Sequence, residues 1–266
     1  MKIICFPYAG SHTRVFTPLR NYLKENRISA DVIEVDYAGH GRRFSETLIH
    51  SIQNNAVDIF KRLLPELNKV EPVVLVGYSM GSLIAYEIAK LMLEQGIEVS
   101  RLLFMAATPP HKIEVSTESY EDEDNFLKKC QTYGLIKEDQ FKSKELRKLF
   151  LPALFNDITS VEHYNLMNNY QRVTFDKKVA VSVFQGEMDE TVSSIEKWQE
   201  LSDGQIAFYT YPAGHFFYYD CQEKLFADIY TALTDQSKLL NIKADRGRKT
   251  DGKFIITAEA EIAGKS

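Results

Sequence analysis

The fold of this chain is decided by residues 73–92, VVLVGYSMGSLIAYEIAKLM. The first four residues are an apolar, β-branched run typical of a buried strand, and the last eleven have the pattern of a helix. Ser79 stands between them in the sequence Gly-x-Ser-x-Gly. So sharp a turn leaves no room for side chains at Gly77 and Gly81, and it holds Ser79 in a strained conformation with its hydroxyl exposed. The stretch predicts a serine nucleophile, with the amide of Met80 directed at a developing oxyanion.

Similar apolar runs recur along the chain, and helical patterns separate most of them. The strand candidates are residues 3–6, 32–35, 73–76, 102–105, 179–184 and 206–211. The helical patterns cover residues 15–24, 54–67, 83–94, 195–201 and 222–233. This alternation predicts a mainly parallel sheet flanked by helices, with the chemistry beyond the carboxyl ends of the strands. Together with the strand–Ser79–helix turn, it predicts the α/β-hydrolase fold.

Two segments depart from the alternation, within an expected core of residues 1–235. Residues 108–175 lack a strong strand signal and turn helical, which predicts a helical lid insert over the site or, alternatively, an extra helical layer with no gating role. An apolar stripe at helical spacing is expected there at Leu146, Leu149, Phe150, Leu154 and Phe155. Residues 236–266 form a C-terminal extension whose alternating end favours an edge strand or a flexible tail.

Composition narrows the class of protein. The 266 residues carry a formal net charge of −5, which argues against general nucleic-acid affinity. The three cysteines show no metal-binding or redox spacing, so we expect reduced thiols and no metal. The chain begins on a strand-like run and has no signal-peptide or membrane-spanning pattern, so we expect a cytoplasmic protein that does not bind membranes.

A serine nucleophile needs a histidine base and a carboxylate that orients the histidine. Of six histidines, only His215 follows a late strand, in GHFF at 214–217. The acid is expected after strand 179–184, where Asp189 is the first choice because its short side chain in a turn can reach the imidazole. Glu187 and Glu190 are its rivals. Asp220 is close to His215 in sequence but is expected to cap the final helix.

The second oxyanion donor is expected in the loop after the first strand. That loop contains Pro7, which has no amide hydrogen, and Gly10, which lets the backbone approach the serine. The amide of Ala9 or Tyr8 is therefore the candidate donor. An ordinary strand-to-helix turn is the alternative.

These segments together resemble the type II thioesterases, the stand-alone editing enzymes of nonribosomal peptide and polyketide synthesis. The matching segments are FPYAG at 6–10, GYSMG at 77–81, the Gly186-x-x-Asp189 turn followed by Trp198, and GHFF at 214–217. The resemblance covers residues 1–235. This chain has Tyr78 where the family usually has histidine, Ser11 where it has a second glycine, and AGHG at 38–41 where it has Pro-Gly-Arg-Gly.

The resemblance implies an α/β-hydrolase with a Ser79–His215–Asp189 triad and oxyanion amides from Met80 and from Ala9 or Tyr8. It implies a monomer that removes acyl groups from the phosphopantetheine arms of carrier proteins, without a metal or organic cofactor. The alternatives are a carboxylesterase or lipase with the same triad, a chain-terminating thioesterase cut from a synthetase, and a non-catalytic binding protein. The start of the chain on its first strand disfavours the second alternative.

Basic residues near the lid are candidates for contacting an acidic carrier. Four lie in the predicted lid helix beside its apolar stripe, namely Lys142, Lys144, Arg147 and Lys148. Arg42 and Arg43, after the second strand, are a second candidate pair. The alternative is that these charges are only the solvated face of a helix.

Overall fold

A computed structural model describes residues 1–11, 14–67, 71–117, 120, 122–136 and 141–235. Its centre is one sheet of six parallel strands, in the spatial order β2-β1-β3-β4-β5-β6. The strands are β1 (Lys2–Phe6), β2 (Asp31–Glu34), β3 (Val73–Tyr78), β4 (Val99–Met105), β5 (Ala180–Gly186) and β6 (Ala207–Tyr211). All six predicted strands are therefore present, with ends shifted by a few residues.

Helices cover both faces of the sheet. They are α1 (Thr17–Glu25), α2 (Ile52–Leu63), α3 (Met80–Glu94), α4 (Glu123–Thr132), α5 (Lys144–Glu162), α6 (Tyr164–Asn168), α7 (Phe217–Asp220) and α8 (Gln222–Thr234). Successive residues of β1 point to opposite faces, as a strand requires: Ile4 and Phe6 join the core under α2 and α3, and Ile3 and Cys5 join the core under α1 and α8. This confirms the predicted α/β-hydrolase architecture.

The structure confirms one expectation about helices and corrects another. The helical pattern predicted at Ile195–Leu201 is present as a 3-10 helix. Its two buried side chains, Trp198 and Leu201, are three residues apart, which puts them on the same edge of a helix with three residues per turn. Asp220 is not the cap of the last helix, because it ends α7 and the position before α8 is Cys221.

The segment between β4 and β5 contains α4, α5 and α6, with its own small core around Phe126, Leu151 and Leu154. The expected apolar stripe on α5 is mostly exposed: Leu146, Leu149 and Phe155 are each more than 40% exposed, and only Leu154 is fully buried. The buried residues of α5 are half apolar and half polar, and Asp157 is one of the polar ones. The spacing of apolar residues alone did not identify which face of the helix meets the core. The expectations for residues 236–266 lie outside the described residues.

Candidate active site

Ser79 occupies the turn between β3 and α3 with φ +53° and ψ −120°, a conformation that non-glycine residues rarely adopt. A β-carbon on Gly77 would overlap the carbonyl oxygen of Gly81, and one on Gly81 would overlap the backbone of Phe6 in β1. The glycines of the motif are thus required by close approach of backbones. The amide of Ser79 donates to the carbonyl of Met105 at the end of β4, which anchors the turn (2.8 Å).

His215 lies in the loop between β6 and α7, and its ring reaches Ser79 and Asp189. Its Nε2 is 3.0 Å from Oγ of Ser79, and its Nδ1 is 2.8 Å from Oδ2 of Asp189. The side chains of His215 and Asp189 are almost completely buried, at 4% and 0% exposure respectively. The structure thus brings together the three residues that the sequence predicts as nucleophile, base and acid.

Asp189 is held by the turn that follows β5. Thr191 donates to its Oδ1 from both its hydroxyl (2.6 Å) and its amide (3.0 Å). Burial raises the pKa of Asp189, but the hydrogen bond and charge of His215 and the bonds from Thr191 outweigh it, so the pKa is lowered overall. The rivals Glu187 and Glu190 are exposed, whereas Asp189 is buried.

The hydrogen bonds fix the direction of proton transfer. An ionised carboxylate only accepts hydrogen bonds, so Nδ1 of His215 must carry the proton that faces Asp189. Nε2 is then an acceptor for the Ser79 hydroxyl at 3.0 Å. This arrangement can withdraw a proton from Ser79 as its oxygen attacks a carbonyl carbon.

The candidate oxyanion donors come from two segments near this serine, the start of α3 and the loop after β1. The amide of Met80 is the first of α3, and a helix offers no acceptor to its first amides. Across from it, the loop after β1 is brought close by the packing of Gly81 against the backbone of Phe6 and Pro7. In that loop the amide of Gly10 donates to Asp157 (2.8 Å), so the amides of Tyr8 and Ala9 stay the candidates.

Sequence reasoning missed two residues that build the site. Thr191 lies within 3.0 Å of Nδ1 of His215 in addition to holding Asp189; the Asp-x-Thr spacing after a strand, typical of a side-chain-to-backbone turn, was the available signal. Tyr78 was noted only as a departure from the family. Its hydroxyl donates to the backbone carbonyl of His215, and its ring packs edge-on to the imidazole with centroids 6.2 Å apart.

The basic residues that the sequence suggests for carrier contact differ in exposure and in pairing. Arg43 is 11% exposed and pairs with Glu46 and Asp58, so its role is structural. Arg147 bonds to Asp124 and to the carbonyl of Phe141. In contrast, Lys144 and Lys148 are exposed on the first turns of α5.

Two features are absent from the part of the chain that the structure describes. No cluster of three or more histidine, cysteine, aspartate or glutamate side chains there is arranged to hold a metal ion. None of the helices in the same residues combines the length and the apolar character needed to cross a membrane.

The curated proteins to which the chain is similar include LgrE and AngT. The chain is 26% identical over 236 residues to linear gramicidin dehydrogenase LgrE of Brevibacillus parabrevis, with 87% of each chain covered. It is 25% identical over 220 residues to AngT of Vibrio anguillarum, a probable anguibactin biosynthesis thioesterase, covering 81% of this chain and 84% of AngT. The Gly-x-Gly-x-x-Gly fingerprint of dinucleotide binding does not occur in this sequence.

A solved structure and a family model agree with the fold. The type II thioesterase BorB, from the borrelidin biosynthetic cluster, superposes with a TM-score of 0.72 at 25% identity, covering 87% of this chain and 92% of BorB. The sequence model of the thioesterase domain matches residues 1–233. With so large a match, the chain belongs to the thioesterase family.

Proposed function

We propose that this thioesterase removes acyl groups from the phosphopantetheine arms of carrier proteins in nonribosomal peptide or polyketide synthesis. The observation that carries the proposal is the chain of hydrogen bonds from Ser79 through His215 to Asp189 in a member of this family. The names of AngT and BorB, which refer to anguibactin and borrelidin biosynthesis, support the substrate class.

In this mechanism, the Ser79 hydroxyl attacks the thioester carbonyl while Nε2 of His215 takes its proton. The oxyanion is bound by the amides of Met80 and of Ala9 or Tyr8, and removing one such donor typically lowers the rate by about 10²–10³. The carbon–sulfur bond breaks, and the pantetheine thiol leaves with the proton from His215. Water, deprotonated by His215, then attacks the acyl-enzyme, releases the acid and restores Ser79.

The proposal is tested by mass spectrometry on a panel of carrier proteins loaded with different acyl groups. We expect the protein to remove the acyl mass from the carrier, leave the phosphopantetheine arm in place and release a free acid. Small oxygen esters are the comparison substrates. If the protein hydrolyses these esters and leaves every carrier thioester intact, it is a carboxylesterase of the same fold, and the proposed substrate class is wrong.

We further propose that an acidic carrier docks on the start of α5, where Lys144 and Lys148 are exposed beside the apolar side chains of Leu146 and Leu149. Because the whole chain carries a net charge of −5, attraction must come from such a local patch. We expect the double variant Lys144→Glu/Lys148→Glu to raise KM for an acyl-carrier several-fold and to flatten its salt dependence. Hydrolysis of a small acyl thioester is expected to be unchanged.

The matched control is Lys24→Glu/Lys177→Glu, which changes the net charge equally. Lys24 lies in the last turn of α1 and Lys177 precedes β5, so both are at the amino end of the sheet, opposite Ser79. We expect no change in KM for the carrier from this control. Equal kinetics of the lid variant and the wild type with a carrier at low salt would refute docking on α5.

A further inference from the structure

The middle of α5 is tied to the loop between β1 and α1 through Asp157, a side chain that the mechanism above does not use. Asp157 is 1% exposed. Its Oδ2 accepts a hydrogen bond from the amide of Gly10 (2.8 Å) and lies 2.9 Å from Nε2 of His40. Its Oδ1 lies 3.4 Å from the side-chain amide of Asn156. Three donors from three parts of the chain therefore converge on one buried carboxylate.

The partners of His40 indicate that its ring is charged. Nδ1 lies 3.0 Å from the carbonyl oxygen of Ala38, and Nε2 faces the carboxylate of Asp157. Because both of these groups only accept hydrogen bonds, both ring nitrogens must carry hydrogen. Burial lowers the pKa of His40, but the hydrogen bond and charge of Asp157, with smaller contributions from the carbonyl of Ala38 and the charge of Asp36, outweigh it, so the pKa is raised overall. His40 thus balances the buried charge of Asp157.

The same loop is fixed at its other end. The hydroxyl of Tyr37, buried at 1% exposure, donates to the carbonyl of Pro7 (2.7 Å). Pro7 and Gly10 are therefore both anchored, and the two candidates for the second oxyanion donor, Tyr8 and Ala9, lie between them.

The lid helix also packs directly on this loop. Gly10 has φ +70°, and a β-carbon there would lie 2.8 Å from Cδ1 of Leu154. Leu154 and Asp157 are three residues apart on α5, so one face of the helix supplies both the packing contact and the hydrogen bond. A side chain at Gly10 is disfavoured by the positive φ, and it would also press on Leu154 of α5.

We propose that Asp157, charge-balanced by His40, and Tyr37 are positioning residues that aim the amides of Tyr8 and Ala9 at the oxyanion formed on Ser79. The inference rests on the proposed function. Asp157 accepts the hydrogen bond of the Gly10 amide and so sets the orientation of the peptide units before Gly10. Tyr37 donates to the carbonyl of Pro7 and so fixes the same peptide units from their other end. The anchor also holds the middle of α5 against the catalytic loop, so this part of the lid is a fixed wall of the site.

The first test compares the variant Asp157→Asn with the wild-type enzyme. Two quantities are measured: hydrolysis of a small acyl thioester, and the affinity for a trifluoromethyl ketone that forms a tetrahedral adduct with Ser79. An asparagine has no negative charge to balance His40. If its single oxygen takes the place of Oδ2, its NH2 group faces the NH2 group of Asn156, two donors with no acceptor between them, so the anchor is disturbed. We expect kcat to fall about 10-fold or more and KM to change by less than about twofold. The affinity for the ketone is expected to fall by the same factor as kcat/KM, because both depend on the oxyanion site.

Glu162→Gln is the matched control, since it removes a carboxylate of the same helix whose partners are Tyr120 and Lys129. We expect it to keep the wild-type kcat and ketone affinity. If Asp157→Asn does not fold, the variant Tyr37→Phe tests the proposal instead, because it removes only a hydroxyl. A parallel loss of kcat and ketone affinity in Tyr37→Phe supports the proposal. Unchanged values of both overturn it. A folded Asp157→Asn with wild-type kcat, or an equal loss in Glu162→Gln, also overturns it. A wild type that does not hydrolyse the thioester at all would instead refute the proposed function.

Discussion

Ser79→Ala is expected to abolish acyl-enzyme formation and to lower thioester turnover by about 10⁴-fold or more, because the attacking oxygen is removed. The fold should survive. The substitution removes a hydroxyl whose hydrogen bond to His215 contributes about 1 kcal/mol, and alanine meets the same backbone strain at φ +53° as serine. Turnover of the thioester, labelling by a serine-directed phosphonate and thermal unfolding measure the three effects.

Ser51→Ala is the control for this experiment. Ser51 caps α2 by accepting a hydrogen bond from the amide of Asn54, and losing such a cap costs about 1 kcal/mol of stability. We therefore expect a less stable enzyme with normal turnover and normal labelling. A Ser79→Ala protein that is unfolded, that is still labelled or that retains most of its turnover would contradict the assignment of the nucleophile.

Asp189→Asn is expected to lower turnover by about 10²–10⁴-fold without unfolding the protein. The amide of asparagine can donate to Nδ1 of His215 and so moves the ring proton to Nε2, which then cannot accept the proton of Ser79. In the wild type the lowered pKa of Asp189 keeps the carboxylate ionised throughout the neutral range, which maintains the productive tautomer. Steady-state kinetics across pH, with circular dichroism as the check of folding, measure the effect.

The neighbouring carboxylates provide matched controls. Glu187→Gln and Glu190→Gln remove charges within two residues of Asp189, but both side chains are exposed. We expect both variants to turn over the thioester within about twofold of the wild type, as surface substitutions usually do. Near-normal turnover in Asp189→Asn with an inactive Glu187→Gln or Glu190→Gln would show that another carboxylate is the acid.

The sequence by itself determined the architecture and the position of Ser79, the proposed nucleophile, at the turn between a strand and a helix. Both follow from short-range patterns: apolar runs that can only be buried strands, and glycines on each side of Ser79 where backbones touch. The same reasoning located His215, because the order of nucleophile, acid and base along the chain follows from the order of the strands. Asp189 was selected over Glu187 and Glu190 by side-chain length, and the structure buries Asp189 alone.

Only the tertiary structure decided what surrounds these groups. The contacts of Thr191 and Tyr78 with His215 join residues that are far apart in the chain, so a local spacing such as Asp-x-Thr can suggest the turn at Asp189 but not these contacts. Asp157 reaches His40 and Gly10 across more than a hundred residues, because packing α5 over the carboxyl ends of β1 and β2 creates the contact. The exposure of the α5 stripe was equally unpredictable. An apolar spacing shows which side chains share a face, but whether the face is covered depends on the elements that pack against it.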